Sequence, residues 1–531
     1  MKRSVLFPAL ALLVPALLFA GGSSEKKAAS GGEAKEKHLI VAANPDFESF
    51  DPAIAYEPFS SWIMGSCYNT LMEYDGSIDK LVPRVAESYA VSGDGLSYTF
   101  NLRKDVKFSS GNPLTSADVK WSHERAWNIR GNGSFMLGGV DRIETPDNYT
   151  VIYRLKQVDP VFPTKLSYVT LDILDSKTAG EHGATNAENA KTADTAKTWL
   201  DNNSAGSGPY RILSYTPKVE VVLERNPNYW RTPAYYDKVT LKAVADSNAQ
   251  LMMLRAGDVD VAFNLSPEQI QTLQGVQGIT IMDARSLTTS FLLMNRDPGI
   301  GGPVANPKVQ RAIRLALDYP GIQTIAGPRM LSPQAPFPIG LAGSLSAAEV
   351  TGYPRVNEAK ALLAEAGYPN GFSTKLYVPT NTVVGVDLVL LAQKIQNDLK
   401  AVGINAELVP ESVNISLASY RDGKQPLGLW YWNPDYIDNA SQLAFLPGNT
   451  VGLRANWKED LNPALAALGR SAAVETDNAK RMALFGQIQQ AMIEDTPFAV
   501  LLQHSSQYAI RTGLSGADYG MLRLDFKRIA E

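Results

Sequence analysis

The chain has 531 residues, a formal net charge of −4 and one cysteine, Cys67. Apolar residues make up 45% of it and charged residues 20%, which is ordinary globular usage and excludes a disordered or fibrous chain. Lysine and arginine total 50 against 54 acidic residues, so the basic excess typical of nucleic-acid-binding proteins is missing. A single thiol excludes an internal disulfide and a cysteine-based zinc site as sources of stability.

The N-terminus predicts export. Two basic residues precede an almost wholly apolar stretch, Val5 to Ala20, which is shorter than the roughly 20 residues that a membrane span needs. We therefore predict a signal peptide over residues 1–20. Residues 21–37 contain no aromatic or β-branched residue, and they predict either a flexible tether or an ordinary disordered terminus. Gly21 stands where a bacterial lipobox requires cysteine, so we expect a soluble periplasmic protein.

Strand and helix patterns alternate along the rest of the chain. Alternating apolar and polar residues predict strands in SYTFNLRKDVKF (97–108), YTVIYRL (149–155) and VEVVLER (219–225). Helix signals are the capping-box pair Thr115 and Asp118, the Asn306-Pro307 start, and the segments 357–368 and 391–404 with Gly367 and Gly403 near their ends. Because the two patterns are interspersed without a repeat of 20 to 50 residues, an α/β architecture is predicted.

The catalytic motifs G-x-S-x-G and H-E-x-x-H and the phosphate-loop motif are missing from the sequence. The segment with the most distinctive composition is LGLWYWNPDYIDNASQLAFL (427–446). It combines rigid aromatic side chains with acidic ones, namely Trp430, Tyr431, Trp432, Asp435, Tyr436 and Asp438. Such a combination suits a ligand pocket, which is commonly apolar with a few placed polar groups. The alternative is a strand whose aromatic residues pack in the core, followed by a polar loop.

Several segments, taken in order, resemble the bacterial extracellular solute-binding proteins of the oligopeptide/dipeptide family, which serve ABC transporters. They are residues 86–119, 206–230, 254–263, 306–319, 358–372 and 394–408. The resemblance implies a two-lobed periplasmic-binding fold of type II, in its large form with an extra subdomain in the first lobe. Ligand would bind between the lobes, and the closed form would dock on a membrane permease.

The resemblance also implies where the lobes begin and end. Lobe I would comprise residues 38–285 and 499–531, with an inserted subdomain at about 69–204, and lobe II would comprise residues 286–498. Two crossover segments, near Arg285 to Leu292 and near Phe498 to His504, would form the hinge. Hinge closure around a ligand is the known motion of periplasmic binding proteins.

Peptide-binding members of the family carry an aspartate as the last residue of a W-x-x-D pattern, and this aspartate binds the peptide's free amino group. Trp432-Asn433-Pro434-Asp435 fits that pattern, so the resemblance assigns the role to Asp435. The backbone at Tyr431 and Asn433 would hydrogen-bond the ligand's main chain. Trp430 and Tyr436 would add aromatic surface.

The carboxylate end of a peptide has no assigned partner. Some oligopeptide binders carry an arginine three residues before the tryptophan, where this chain has Leu429. Arg421 lies nearby at a shifted spacing, and we include it among the candidate ligand-binding residues.

We therefore predict the extracytoplasmic solute-binding subunit of an ABC importer, which captures a peptide or another amine-bearing solute. We expect a monomer without catalytic activity, metal or cofactor, whose partners are the ligand and the permease. Within the same family, an oligosaccharide, an opine or a nickel complex is the alternative ligand. Outside it, the alternatives are a secreted hydrolase with Asp435 and Asp438 as an acid/base pair, and a sensor or adaptor on the same scaffold.

Overall fold

The computed structural model describes residues 36–45, 47–327, 329–348, 352–520 and 523–531. The predicted signal peptide and nearly all of the predicted tether lie outside these residues. The chain from Lys37 to Glu531 folds as one unit. Within the described ranges, every helix is too short or too polar to cross a lipid bilayer.

The described elements alternate between strands and helices, as the sequence predicts. The strands are β1 (His38–Ala43), β2 (Met72–Tyr74), β3 (Leu81–Pro83), β4 (Ala86–Val91), β5 (Ser97–Leu102), β6 (Val140–Asp147), β7 (Thr150–Leu155), β8 (Tyr210–Thr216), β9 (Glu220–Arg225), β10 (Lys238–Ala243), β11 (Val261–Ala262), β12 (Ile279–Met294), β13 (Phe372–Pro379), β14 (Thr382–Val383), β15 (Val386–Asp387), β16 (Ile404–Glu411), β17 (Leu427–Trp432), β18 (Phe498–Arg511), β19 (Tyr519–Gly520) and β20 (Arg523–Leu524). The α-helices are α1 (Pro58–Cys67), α2 (Ser116–Ile129), α3 (Phe162–Lys165), α4 (Ser176–Glu181), α5 (Ala190–Ala193), α6 (Lys197–Leu200), α7 (Ser247–Ala256), α8 (Pro267–Leu273), α9 (Pro298–Gly301), α10 (Pro307–Ala316), α11 (Tyr319–Ala326), α12 (Val356–Glu365), α13 (Leu388–Ala401), α14 (Val413–Arg421), α15 (Thr450–Arg454), α16 (Pro463–Val474) and α17 (Asn478–Glu494). Short 3-10 helices cover Ser134–Leu137, Val169–Leu171, Gly302–Ala305, Asn439–Phe445 and Glu459–Leu461.

A ten-stranded sheet in the order β16-β13-β17-β12-β18-β11-β1-β10-β9-β8 runs through both predicted lobes. A separate core lies on each side of its centre. One core packs β1 and β8 to β10 with α1, and the other packs β13, β16 and β17 with helices α10 to α13. A second, antiparallel sheet, β4-β5-β7-β6, has its own core with α2. These cores confirm the predicted α/β class.

The predicted helix starts and strands are confirmed, with shifted ends. Asp118 accepts hydrogen bonds from the backbone nitrogen and the hydroxyl of Thr115, which is the capping box of α2. Asn306 caps α10 through a 2.9 Å bond from the Lys308 nitrogen. The predicted strand 97–108 ends early, at Leu102, and the chain bends at residues 104 and 105.

Two long neighbouring strands, β12 and β18, connect the two halves of the large sheet. They pair antiparallel along most of their length, but the register shifts between Arg285 and Thr289. Residues 286–288 of β12 therefore stand against His504 alone on β18. Extra residues of this kind bend a strand and interrupt its ladder. The break lies in both predicted crossover segments, whereas the predicted lobe boundaries themselves stay a prediction.

His504 is buried at this break, where its Nε2 lies 2.7 Å from the Ser290 hydroxyl. Burial lowers the pKa of His504 to about 3, against about 6.5 in an unfolded chain. The folded state therefore keeps the ring neutral. The pKa difference leaves the free energy of unfolding undiminished above pH 6.5 and lowers it as the pH falls from 6.5 towards 3. Between pH 7 and pH 5 the loss should be about 2 kcal/mol.

Urea unfolding of the native chain and of the His504→Gln variant at pH 7 and pH 5 measures the contribution of His504 to this loss of stability. We expect the variant to lose about 2 kcal/mol less between the two pH values, because a glutamine does not titrate. Other titrating groups contribute equally to both proteins. An identical pH dependence in the two proteins would contradict the assignment.

Candidate functional site

The segment predicted to hold the site follows β17 directly. Strand β17 pairs antiparallel with β12, and its last residue, Trp432, lies opposite Thr289 at the sheet break. The neighbouring Thr288 hydroxyl donates to the Asn433 side-chain oxygen at 3.1 Å. We call residues 433–438 the aspartate loop. Its position places it beside the connection between the two halves of the sheet.

Asp435 is half-buried at the centre of the aspartate loop. The Tyr56 hydroxyl donates a short hydrogen bond to Oδ1 of its carboxylate, and the Asp435 backbone nitrogen donates to the Ser441 hydroxyl at 2.9 Å. Burial raises the pKa of Asp435 to about 6, although the Tyr56 hydrogen bond and the charge of Arg454 act in the opposite direction. Burial, followed by the Asp435 charge, also raises the pKa of Tyr56 above its ordinary value.

Residues from the N-terminal part of the chain contact the aspartate loop at three places. Besides Tyr56, the Tyr74 hydroxyl donates to the Ile437 carbonyl at 3.1 Å, and the Lys165 ammonium lies 5.3 Å from the centre of the Tyr436 ring. All three partners belong to the predicted lobe I, whereas the loop belongs to the predicted lobe II. The carboxylate of Asp435 therefore lies where the two predicted lobes meet.

The second acidic residue of the loop is held by contacts within the predicted lobe II. The Asp438 carboxylate accepts hydrogen bonds from the Arg481 guanidinium, one of them at 3.0 Å, and from the Ala440 backbone nitrogen at 2.7 Å. These contacts fix the end of the aspartate loop. The two aspartates therefore have different surroundings, because an arginine pairs with one and a tyrosine with the other.

The aromatic residues of β17 divide between the core and the site. Trp430 is 3% exposed, stacks on Tyr420 at a ring distance of 4.2 Å, and donates its indole N–H to Gln425 at 2.7 Å. These contacts favour a packing role, and ligand contact by Trp430 stays a prediction. Tyr431 is half-buried, and its hydroxyl accepts from the Asn381 amide at 3.4 Å.

Trp432 and Arg421 lie in different environments. Trp432 is half-buried, packs edge to face on Phe445, and lies 5.8 Å from the Arg454 guanidinium carbon. Arg421 is exposed on the last turn of α14. The structure thus brings Trp432, Asn433, Asp435 and Tyr436 together around the aspartate loop, while Arg421 lies on the surface. Their roles in ligand binding stay predictions.

Sequence reasoning missed the partners that surround Asp435, above all Tyr56 and Arg454. Tyr56 is separated from Asp435 by 379 positions, so local pattern contains no sign of their contact. In the described part of the chain, no group of three or more histidine, cysteine or acidic side chains is placed to hold a metal ion.

The chain is similar to known bacterial solute-binding proteins. The model of the bacterial extracellular solute-binding proteins, family 5 (middle region), matches residues 80–452. The chain is 26% identical over 528 residues to the probable D,D-dipeptide-binding periplasmic protein DdpA of Escherichia coli, covering 97% of this chain and 96% of that protein. It is also 26% identical to di/tripeptide-binding protein 2 of Pseudomonas aeruginosa, covering 94% and 95%.

A solved structure shares the fold. The periplasmic binding protein DppA from Helicobacter pylori, in complex with the peptide STSA, superimposes with a TM-score of 0.77 at 24% identity. The match covers 93% of this chain and 97% of that one.

Proposed function

Because the chain belongs to family 5 of the bacterial extracellular solute-binding proteins, we propose that it is the solute-binding subunit of an ABC importer that captures a peptide or another amine-bearing solute. The observation that carries the proposal is the half-buried carboxylate of Asp435 at the meeting point of the predicted lobes. The names of the relatives, which describe dipeptide and di/tripeptide binding, support the same class of ligand.

The electrostatics of Asp435 suit capture of an ammonium group. Burial opposes the charge of the carboxylate, as its pKa of about 6 indicates, and Tyr56 supplies a single neutral donor. A ligand ammonium would add a charge-assisted hydrogen bond, which is about twice as strong as a neutral one. The desolvation that opposes closure of the empty protein would then be offset when an amine-bearing ligand is present.

Closure would bring lobe I (38–285 and 499–531) onto lobe II (286–498), with the subdomain at about 69–204 as part of lobe I. The contacts of Tyr56, Tyr74 and Lys165 with the aspartate loop support this motion, because they join segments far apart in the chain. The closed protein, in the periplasm or at the cell exterior, would then deliver its ligand to a permease in the membrane.

Native mass spectrometry of the purified protein, followed by identification of the released small molecule, tests the proposal. We expect a peptide or another compound with a free amino group, and titration calorimetry should show that the compound rebinds. Recovery of a neutral sugar would contradict the amine-binding role of Asp435. Turnover of the recovered compound would contradict the transport role.

Ligand binding should depend on pH through Asp435. A carboxyl group with a pKa of about 6 is mostly ionised at pH 7 and mostly protonated at pH 5. A protonated Asp435 cannot pair with an ammonium, so the affinity for a peptide with a free amino group should fall about tenfold over this interval. Calorimetry at the two pH values checks this, and an N-acetylated peptide is the control. An equal affinity for the free peptide at both pH values would contradict the expectation.

A further inference from the structure

Arg454 lies beside the aspartate loop without an acidic partner. It ends α15, and its guanidinium carbon lies 4.7 Å from the centre of the Tyr420 ring and 5.8 Å from that of the Trp432 ring. Across the described ranges, no carboxylate is within ion-pair distance of this guanidinium. The two aromatic rings thus hold a half-buried cation in place, and its hydrogen-bonding capacity is left for another group.

The two aromatic neighbours of Arg454 carry donors that also lack an acceptor. Tyr420 is 2% exposed; its buried hydroxyl oxygen faces the Arg454 guanidinium, but its proton has no acceptor among the described residues. The buried indole N–H of Trp432 likewise lacks an acceptor among them. A guanidinium and an indole N–H can only donate. Since nearly all buried polar groups in folded proteins are hydrogen-bonded, the two buried donors beside the half-buried Arg454 guanidinium need an explanation.

The position of Arg454 next to Asp435 supplies that explanation. Arg454 lies against the Trp432 ring, directly before the aspartate loop, and its positive charge opposes the rise in the Asp435 pKa that burial causes. A lone ammonium bound at Asp435 would therefore be repelled by Arg454. The repulsion turns into attraction when the same ligand also carries a negative group that Arg454 can bind.

We propose that Arg454, together with the Trp432 indole and the Tyr420 hydroxyl, forms an anion subsite that binds a carboxylate of the ligand. The inference rests on the proposed function and narrows its ligand to zwitterions whose carboxylate lies near the ammonium. Two sources supply this chemistry, namely the C-terminal carboxylate of a short peptide and the acidic side chain of a first residue.

Titration calorimetry with four probes tests the subsite: Ala-Ala, its C-terminal amide, Glu-Ala amide and N-acetyl-Ala-Ala. We expect at least one of the two acids with a free amino group to bind the native protein tenfold or more tighter than Ala-Ala amide. Preference for Ala-Ala identifies the C-terminal carboxylate as the bound group, and preference for Glu-Ala amide identifies the side chain.

The Arg454→Met variant retains an apolar stem against the two rings, and it should lose the preference for the acid at least tenfold. Arg311→Met, at an exposed position on α10, removes the same charge from the same lobe and should leave the preference unchanged. Thermal unfolding of both variants shows whether they are folded.

The outcomes separate the subsite from the proposed function. If Ala-Ala amide binds the native protein as tightly as both acids, or if Arg454→Met keeps the preference, the anion subsite is wrong while the amine site stands. If the acid is preferred but N-acetylation has no effect, the role of Asp435 is wrong while the anion subsite stands. If none of the four probes binds at millimolar concentration, both are wrong.

Discussion

Replacing Asp435 by asparagine is expected to weaken the binding of a peptide with a free amino group by tenfold or more. Asparagine retains the shape of the side chain and still accepts a hydrogen bond from Tyr56, so the contact between the predicted lobes survives. What is lost is the negative charge that faces the ligand ammonium. Hydrogen bonds to charged groups contribute roughly 1.5 to 3 kcal/mol net, which corresponds to at least a tenfold change in affinity.

Titration calorimetry of the native protein and Asp435→Asn with one peptide in free and N-acetylated forms is the appropriate measurement. The acetylated peptide lacks the ammonium, so its weak binding should be equal in the two proteins. If the free peptide bound both proteins with the same affinity, Asp435 would not be the amine receptor. A sugar ligand would produce a different pattern, with little effect of Asp435→Asn and a large effect of Trp432→Ala.

Replacing Arg125 by methionine is expected to lower the free energy of unfolding by about 3 to 5 kcal/mol, more than any other substitution considered above. The Arg125 guanidinium is fully buried on α2 and donates to both oxygens of Asp51, at 2.7 and 2.6 Å, and to those of Asp194, at 2.7 and 3.1 Å. Asp51 is also fully buried, and the Asp194 side chain is 5% exposed. Removing the cation leaves two buried carboxylates without their counter-charge.

Guanidinium-induced unfolding of the native protein and Arg125→Met measures this loss. Arg142→Met is the matched control, because Arg142 forms ion pairs with Asp141 and Glu144 on the exposed surface of β6. Exposed ion pairs contribute little to stability, so the control should unfold almost as the native protein does. Equal unfolding midpoints for the two variants would show that the buried cluster does not stabilise the fold as described.

Local patterns in the sequence were sufficient to predict the helices and strands named above, because these elements depend on neighbouring residues along the chain. The capping box of Thr115 and Asp118 and the alternation in β5, β7 and β9 are of this kind. The two-lobed arrangement came from the resemblance to a family, since the pairing of β12 with β18 joins residues more than 200 positions apart.

The site was only partly predictable for the same reason. The sequence pattern W-x-x-D identified Asp435, but the burial that shifts its pKa comes from distant residues such as Tyr56. Alternation along β17 places Trp430 and Trp432 on one face of the strand. Which of them is covered depends on Tyr420 of α14, which stacks on Trp430 alone. Which tryptophan is buried therefore depends on tertiary packing, and the spacing of the residues in the sequence does not predict it.

In the proposed hinge motion, the register break between β12 and β18 would restrict how the protein opens. The two strands are neighbours, and their ladder is continuous from Ile279 to Arg285 on one side of the break. Pairing resumes at Thr289 and continues, with a second shift after Ser290, to Leu293. Paired segments on both sides would resist sliding, so we expect the proposed opening to bend the strands at residues 286–288. If the predicted lobes separate by this bending, the distance between Tyr56 and Asp435 would increase, so that distance would report opening in solution.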